Sequence, residues 1–389
     1  MRNCFEMNNY LVYIRRILLL LILSVEMSCV QNYNKQSGAI VNNENLLTKN
    51  EETFMSNIIQ LENIIPLETT DSSLIGRIEK IMKKNNDIYV KSDKNSLLLF
   101  HEDGKFQGHI GTLGIGPEEY PMAIDFDVDA DNVYVLTVGK IQVYNRTGKF
   151  ERTIPLNFNV AGFRVLRERI LLFVLGDDFV IHLIDKTGNP IETVLKRTQA
   201  LRLCKAIPFV RYTNDVYLFA QGRSNDVLAY DESTNTFSSM TYLSSSDNLS
   251  ATEENLLLEE HNGHRDNSIE SKTCFDGLSS NGKQILFGAI KGKDDLDLWM
   301  KDITSGKSDV YSLLSLKNDL TFTSVNSFFN DNTEGDNGFL SYFVPYYIEE
   351  GLSKNESHSN EKNYKILKKI LSNINIEEAN PIIIEYKFK

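Results

Sequence analysis

A polar turn followed directly by a short β-branched or aromatic strand recurs six times along this sequence, and this repeat limits the possible folds more than any single motif does. The strands after these turns begin at residues 88, 133, 170, 216, 285 and 339, which gives spacings of 45, 37, 46, 69 and 54 residues. Strand repeats of ~40 to 50 residues are typical of propeller blades. The sequence therefore predicts an all-β fold, a six-bladed β-propeller with four-stranded blades.

The second repeat shows the expected blade in detail. It predicts an inner strand at Ile124 to Asp129, two middle strands at Val133 to Thr137 and Ile141 to Tyr144, and an outer strand at Phe150 to Leu156. Gly148 lies in the last turn, where glycine adopts a positive φ at little cost. Each blade is therefore expected to run from the inside of the ring to the outside.

The first and last strands of the propeller are predicted to share a blade. Ile65-Pro66-Leu67 resembles the end of an outer strand, but it precedes the first inner strand, at Leu74 to Ile81. We therefore expect this N-terminal strand to complete the last blade, whose other strands are predicted at Leu320 to Phe329, Phe339 to Val344 and Pro381 to Phe388. Such pairing leaves no open sheet edge.

The first 28 residues predict an export signal. A pair of arginines precedes the apolar run Ile17 to Val25, which is too short to span a bilayer because a spanning helix needs ~20 residues. Ser28-Cys29 ends the segment in a pattern that resembles the lipobox of bacterial lipoproteins, although Glu26 departs from it. We predict that Cys29 is lipidated and begins the mature chain. Cleavage without a lipid, or an uncleaved anchor, is the alternative.

The remaining chain divides into a tether and a propeller. Residues 29–57, which are rich in Asn, Gln and Lys, are expected to form a flexible tether, and residues 58–389 to form the propeller. Two stretches do not fit the blades, residues 244–270 and residues 349–380, and we interpret both as insertions. The second insertion contains apolar residues at helical spacing.

The charge and the cysteines limit the possible partners and bonds. A net charge of −12 and a pI of about 5.1 argue against a nucleic-acid partner, since phosphate binding depends on clustered Lys and Arg. Beyond Cys4 in the signal and Cys29, two cysteines remain, Cys204 and Cys274. Export permits a disulfide between them. Each lies in its own strand-like run, however, so two separately buried thiols are the preferred interpretation.

The connection Gly111 to Tyr120, between the first two blades, is the candidate binding loop. Its backbone could approach a ligand at its glycines, and two carboxylates and a phenol could hydrogen-bond one. In this interpretation Glu118, Glu119 and Tyr120 should be partly exposed at the mouth of the channel. The alternative is that the loop only plugs one blade onto the next. The candidate site residues are Gly114, Gly116, Pro117, Glu118, Glu119 and Tyr120.

Metal and cofactor signals are weak. The series Asp127, Asp129 and Asp131 begins like a calcium loop but lacks the Gly and the bidentate Glu of that motif. His261 and His264 lie in a polar insertion, where a solvated loop is favoured over a zinc site. The sequence therefore predicts no metal, no cofactor and no catalytic residue.

The chain resembles a known family in five segments, which read IIPLETT, IYVKSDKNSLLLFHEDGKFQGHIGTLGIGPEEY, DFDVDADNVYVL, IQVYNRTGKFERTIPL and NPIIIEYKFK. Together they are similar to the six-bladed β-propeller lipoproteins of Bacteroidetes, relatives of the NHL-like and TolB-like propellers. The resemblance covers about residues 58 to 389 and is most specific in the first two blades. It implies an exported envelope protein, held at the membrane through its lipid, and it supplies no catalytic residues.

Two functions from different classes follow from these patterns. The first is a binding or scaffold module for a protein, peptide or glycan, monomeric and without a nucleic-acid partner. The alternative is a propeller enzyme, a lactonase-like hydrolase or a lyase, in which carboxylates from different blades converge on a metal in the central channel. Sequence spacing alone does not separate them, because such ligands would come from distant repeats.

Overall fold

The computed structural model describes most of the chain from residue 53 onwards. The described residues are 34–35, 41–42, 49–50, 53–196, 209–213, 215–219, 226–241, 243–244, 273–280, 283–291, 295–302, 305, 308–313, 315–325, 333–334, 338–359 and 361–389. Cys29, Cys204, His261, His264 and residues 245–270 lie outside this set, as does the side chain of Cys274. The lipidation of Cys29 and the state of the two thiols therefore stay predictions.

Five sheets follow one another along the chain, and each contains four antiparallel strands that run from the inner to the outer edge in sequence order. This is the arrangement of propeller blades, and it confirms the all-β propeller prediction. Blade 1 contains Ile78–Lys84, Asp87–Ser92, Leu97–His101 and Phe106–His109; blade 2 contains Asp125–Val128, Asn132–Thr137, Lys140–Asn145 and Phe150–Pro155; blade 3 contains Asn159–Val165, Arg169–Leu175, Phe179–Asp185 and Pro190–Lys196; blade 4 contains Phe209–Arg211, Val216–Phe219, Asp226–Asp231 and Thr236–Thr241; blade 5 contains Thr273–Ser280, Gln284–Lys291, Asp295–Asp302 and Ser308–Ser312.

A three-stranded sheet stands where a sixth blade was predicted. Its strands are Phe339–Phe343, Ile382–Phe388 and Ile59–Pro66, with Ile382–Phe388 in the middle. Ile65 pairs with Ile383, so the N-terminal strand joins the strand that the sequence predicted as its partner. The predicted number of six blades is nevertheless wrong. The described strands form five blades, and the three-stranded sheet has no inner strand among them.

Local hydrogen bonding explains the missing inner strand. The described part of the predicted strand Leu320 to Phe329 forms turns. The carboxamide oxygen of Asn318 accepts hydrogen bonds from the backbone N–H groups of Leu320 and Thr321, at 3.1 and 3.0 Å. Such side-chain bonds replace those of a strand ladder. Phe322 then has a φ of 61°, in the left-handed region, which interrupts an extended strand.

Apolar contacts between neighbouring sheets make the ring continuous. Buried clusters join blade 1 to blade 2, blade 2 to blade 3, and blade 3 to blade 4. The inner strands of blades 4 and 5 lie next to each other. The three-stranded sheet packs against blade 1 through Leu340 and Ile383, and against blade 5 through Phe339 and Ile384. Each fully buried side chain of this size contributes ~1.5–3 kcal/mol, so these clusters hold the blades together.

Two helices are inserted between Phe339–Phe343 and Ile382–Phe388. They span Pro345–Lys354 and Lys362–Leu371, with a 3-10 turn at Glu356–His358 between them. The proline begins the first helix, where its fixed φ suits the first turn. Ile348, Leu352 and Leu367 are buried against the three-stranded sheet and blade 5. These helices lie in the stretch predicted as an insertion at 349–380 and begin four residues before it.

The segment expected to be a flexible tether is paired wherever the structure describes it after residue 40. Met55, in the one-turn helix Met55–Ile58, is buried. The folded body therefore begins before residue 58, because backbone groups of this segment form parallel strand pairs with residues 243–244, 310–311 and 316–317. The parallel pairs are Val41–Asn42 with Leu243–Ser244, Lys49–Asn50 with Val310 and Tyr311, and Thr53–Phe54 with Leu316–Lys317. A further two-residue strand is Asn34–Lys35. No helix among the described residues is both long enough and apolar enough to cross a membrane.

Candidate binding site

The two ends of the ring carry different kinds of turn. Neighbouring strands are antiparallel, so the inner strands begin at the end where the connections between blades and the turns between second and third strands emerge. We call this end the entry face. The opposite face carries the turns from first to second strands and from third to fourth strands. A ligand that approaches one face therefore meets a different set of side chains from those on the other.

Exposed apolar side chains are concentrated on the entry face. Single exposed apolar residues are ordinary, but a concentration of them marks an interaction surface. Turns of the opposite face, such as 145–149 and 185–189, consist instead of polar residues and glycine. Of the twelve exposed large apolar residues in the described part of the chain, the ten on the entry face are Leu74, Leu113, Ile115, Met122, Val138, Leu175, Val344, Tyr346, Tyr347 and Ile366.

The predicted binding loop lies on the entry face and is held from below through its backbone. The side-chain amide of Gln142 donates hydrogen bonds to the carbonyls of Pro117 and Glu119, at 2.9 and 3.0 Å. The hydroxyl of Tyr144 donates to the carbonyl of Glu118 at 2.9 Å. Because its carbonyls are fixed to blade 2, the loop presents its outward side chains in a defined position.

The two glycines of the loop make room for one of its own carboxylates. The backbone N–H of Gly116 donates a hydrogen bond to the Glu119 carboxylate at 2.9 Å. A Cβ atom on Gly114 would lie 1.9 Å from the same carboxylate oxygen. Gly114 and Gly116 therefore shape the loop around Glu119, whose side chain is held within it.

Tyr120 is buried, with 1% of its surface exposed, whereas a binding role required partial exposure. Its hydroxyl donates to the carbonyl of Ile110 at 2.7 Å and accepts the backbone N–H of Leu97 at 3.3 Å. Burial raises the pKa of Tyr120 to about 12. Tyr120 therefore joins blade 1 to blade 2, and among the predicted polar site residues Glu118 has the exposed side chain.

A cavity of about 420 Å³ opens on the entry face, between blade 1, the start of blade 2 and the three-stranded sheet. Three of the exposed apolar residues, Leu74, Met122 and Val344, lie within three positions of its lining in the sequence. The lining is therefore mostly charged, and exposed apolar residues lie close to it along the chain. Its lining residues are Arg77 to Lys80, Lys91, Ile124, Asp125 and Tyr342.

The cavity lining has more cations than carboxylates. Lys80 donates a hydrogen bond to Asp125 at 2.8 Å, in a pair that is almost fully buried. Lys91, with 7% of its surface exposed, pairs with Glu79. Arg77 contacts the same Glu79 carboxylate at 3.3 Å, but 76% of its side chain is exposed. Two cations therefore share Glu79, and the positive excess lies at Arg77 and Lys91.

Two inner-strand carboxylates bond to the edge of the next blade. The carboxylates of Asp125 and Asp127 accept the backbone N–H groups of Phe163 and Val165, at 3.1 and 2.6 Å. The inner edge of a blade faces the channel without a strand partner, and an unpaired buried N–H is costly. These aspartates therefore bridge blade 2 to blade 3.

A third carboxylate reaches the channel from Thr333–Glu334, which pairs in parallel with the inner strand of blade 1. Arg164 of blade 3 binds Glu334 through two hydrogen bonds, one of 2.6 Å, and lies 3.6 Å from Asp127. Burial alone would raise the pKa of Glu334, but the Arg164 charge outweighs it and lowers the pKa to about 2. Burial raises the pKa of Asp127 despite the opposing charges of Arg164 and Lys80.

Within the described part of the chain, no group of three His, Cys, Asp or Glu side chains is placed to hold a metal ion. Asp129, from the calcium-like series, closes a turn by accepting the backbone N–H groups of Asp131 and Asn132. It also accepts the hydroxyl of Tyr134 at 2.7 Å. The aspartates of this series therefore serve a turn and the bridge between blades 2 and 3.

The charged residues of the channel and the cavity were not predicted as site residues. Lys80, Asp125, Asp127 and Arg164 each lie within a short inner strand, and the last three have an apolar residue on both sides. Charged residues are almost never buried without a partner, so a charge inside such a strand was the available signal. Their partners lie on other blades, which explains why spacing along the chain did not reveal them.

The sequence matches one known family over most of its length. Residues 39–387 match the family model described as a domain of unknown function, DUF4934. No curated protein matches the sequence.

One solved structure shares the fold at low sequence identity, and a second is more distantly similar. A Bacteroides fragilis protein designated as exported is 17% identical, with a TM-score of 0.66, over 88% of this chain and 98% of that chain. PorZ, a surface component of the type-IX secretion system of Porphyromonas gingivalis, is 12% identical, with a TM-score of 0.36, over 60% of this chain and 26% of that chain. The first comparison establishes a shared fold. The second is too distant to support an argument.

Proposed function

We propose that this chain, which belongs to the DUF4934 family of domains of unknown function, is an exported binding module that captures a protein, peptide or glycan on its entry face. The observation that carries the proposal is the difference between the two ends of the ring. Ten exposed large apolar side chains lie on the entry face, whereas described turns of the opposite face, such as 145–149 and 185–189, are polar. A surface without a partner has no physical reason to concentrate apolar groups on one side.

The fold gives this face the rigidity that a binding surface needs. Loops carry function best when a rigid scaffold positions them. The loop that ends at Tyr120 is such a case, because Gln142 and Tyr144 hold its carbonyls while Ile115 at its tip is 95% exposed. The cavity of about 420 Å³ beside it provides a concave site for a specific group.

We further propose that the module is anchored in the bacterial envelope through a lipid on Cys29. This location is supported by the arginine pair, the short apolar run and the lipobox-like end at Ser28-Cys29. The Bacteroides fragilis protein of the same fold is also designated as exported. A lipid anchor would hold the propeller at the membrane surface, where it meets partners of the envelope.

Photocross-linking in cells tests the proposed binding face. A photoreactive p-benzoylphenylalanine is placed at Ile115 or Tyr346 on the entry face, and at Lys149 or Asn189 on the opposite face. We expect discrete cross-linked products of higher mass from the entry-face positions alone. Equal yields from both faces, or products only from Lys149 and Asn189, would refute the proposal.

The channel does not favour the enzyme alternative. A metal-dependent hydrolase or lyase needs carboxylates that converge on one point and whose oxygen lone pairs are not already used in hydrogen bonds or ion pairs. Asp125 and Asp127 instead bond to the N–H groups of the next blade, and Glu334 bonds to Arg164. These groups hold the blades together, which is a structural task.

A further inference from the structure

We infer that the entry face recognises a protein partner through a carboxylate that enters the cavity between Arg77 and Lys91. The inference rests on the proposed function and names the partner's chemistry. That chemistry is an acidic side chain or a C-terminal carboxylate, flanked by apolar residues.

The charge of the cavity selects an anion. The chain as a whole has a net charge of −12, yet the lining carries three cations and two carboxylates. Lys80 and Asp125 neutralise each other, so Glu79 faces both remaining cations, Arg77 and Lys91. A partner carboxylate would complete a second ion pair there. A local positive excess in an acidic protein also steers acidic groups toward this point.

The two cations are suited to this task in different ways. Arg77 makes one hydrogen bond to Glu79, from Nη2, and a guanidinium has five N–H donors, so several donors stay open to a second carboxylate. Lys91 is buried with 7% of its surface exposed, and its desolvation has already occurred during folding. A charge held in such a low-dielectric position interacts more strongly than an exposed one.

The other charges at the rim balance each other. Asp93 lies beside Gly76, where an added Cβ would approach its carboxylate to 2.6 Å. Lys94 extends to the carbonyl of Leu74 at 2.9 Å. One anion and one cation therefore flank the opening, and they do not cancel the excess at Arg77 and Lys91.

The apolar rim favours a protein over a glycan. Leu74, Met122 and Val344 are exposed on the entry face within three positions of the cavity lining, and Tyr346 and Tyr347 follow on the adjoining helix. Flanking apolar residues of a polypeptide would bury this surface, whereas saccharide hydroxyls would lose water there without gaining hydrogen bonds. Interfaces of this kind combine buried apolar contacts for affinity with a charged group for orientation.

The first experiment measures fluorescence anisotropy of the full mature chain with three labelled peptides. The first is Ala-Leu-Glu-Leu-Ala with blocked ends, the second replaces Glu by Gln, and the third is Ala-Leu-Leu with a free C-terminal carboxylate. We expect the first or the third peptide to bind about tenfold more tightly than the Gln peptide, because a hydrogen bond to a charged group contributes about 1.5–3 kcal/mol. The tighter of the two identifies the source of the carboxylate.

A matched pair of variants locates the interaction. Arg77→Gln removes a side chain that is 76% exposed and lies 3.3 Å from a carboxylate two positions away. Lys105→Gln, on the opposite face, removes one that is 77% exposed and lies 3.4 Å from Asp103. We expect Arg77→Gln to abolish the preference for the acidic peptide and Lys105→Gln to change it by less than twofold. Both positions are exposed, so both variants should fold.

Three results would overturn the inference. Equal affinity for the Glu and Gln peptides, together with cross-links at Ile115, would mean that the entry face binds without an acidic anchor, and the proposed function would stand. Binding of a glucuronic acid oligosaccharide in place of all three peptides would identify a glycan partner. An unchanged preference in the Arg77→Gln variant would place the carboxylate elsewhere.

Discussion

Arg164 and Glu334 lie 170 positions apart in the sequence, yet they form an ion pair with two hydrogen bonds in the channel of the propeller. Asp127 lies on the other side of the same guanidinium, at 3.6 Å. One cation therefore faces two carboxylates, on segments that come from three parts of the chain. Removing one partner of a buried ion pair costs more than the pair contributes, because it leaves a charge without a counterion.

Arg164→Met should lower the free energy of unfolding by about 3–5 kcal/mol at pH 7, since it leaves Asp127 and Glu334 without their cation. The pKa of Glu334 is lowered from 4.5 to about 2 in the folded protein, so its stabilisation is present above pH 4.5 and is lost as the pH falls toward 2. The difference between wild type and variant should therefore shrink at pH 3. Urea denaturation at both pH values measures it.

Arg167→Met is the control for this experiment. Arg167 also pairs with a carboxylate, that of Asp215, but 67% of its side chain is exposed. We expect a change of less than about 1 kcal/mol there. If Arg164→Met lowered the free energy of unfolding as little as Arg167→Met, the channel ion pair would not stabilise the ring.

Substitution of Tyr120 should destabilise the protein strongly, whereas substitution of Glu118 should hardly change its stability. Tyr120→Ala removes a buried ring and two hydrogen bonds between blades 1 and 2, and should destabilise the protein by about 3–5 kcal/mol. Glu118→Ala removes an exposed side chain and should change stability by less than about 0.5 kcal/mol, because its backbone carbonyl keeps the bond from Tyr144. Thermal unfolding of both variants measures this. Similar melting temperatures would show that Tyr120 does not join the blades.

Asn380 should stabilise the contact between residues 68–75 and the start of the strand Ile382–Phe388. Its buried carboxamide accepts the N–H of Ile75 at 2.8 Å and donates to the carbonyls of Glu68 and Ser73, at 2.7 and 2.8 Å. Asn380→Ala removes the partner of the Ile75 N–H and of the Ser73 carbonyl, whereas the Glu68 carbonyl still accepts the Ser73 hydroxyl at 2.8 Å. Each buried group without a partner costs about 1–3 kcal/mol. We expect a loss of several kcal/mol, together with faster amide hydrogen exchange in Ile382–Phe388.

Asn375→Ala provides the comparison for Asn380. The Asn375 side chain bonds to Glu378 at 2.8 Å on the surface. Its loss should change stability by less than about 0.5 kcal/mol. Hydrogen exchange as slow in Asn380→Ala as in Asn375→Ala would contradict the proposed role of the buried carboxamide.

Cys29→Ser should move the protein from the membrane fraction to the soluble fraction. The expected lipid is attached at this residue, and several acyl chains together give stable membrane binding where a single chain gives only marginal binding. Fractionation and mass spectrometry of the mature N-terminus test the prediction. Unchanged membrane association, or a mature chain that begins elsewhere, would disprove it.

The blades could be predicted because their signals are local. In blade 2 the strands expected at 133–137 and 141–144 are found at Asn132–Thr137 and Lys140–Asn145, and Gly148 has the positive φ, 85°, that its turn requires. Alternating side chains and turn residues determine such elements within a few positions. The prediction of a sixth inner strand was wrong because other local signals oppose it. The composition of the segment favours a strand, but Asn318 accepts backbone N–H groups in a turn and Phe322 adopts a positive φ.

The candidate binding site was only partly predictable. The loop before blade 2 lies on the entry face as expected, but its glycines fit Glu119 and its Tyr120 is buried. The cavity depends on Arg77, Lys91 and their partner Glu79, whose closeness arises from the pairing of two strands. No periodic pattern in the sequence indicates which charged side chains contact one another across strands and blades.

The pairing of Ile65 with Ile383 also determines when the ring can close during synthesis. Ile382–Phe388 is the middle strand of its sheet, so Ile59–Pro66 has no partner there until 316 further residues have been made. At ~5–20 residues per second, this interval is roughly 15–60 s. For that time the strand stays unpaired, and its open edge could pair with other chains.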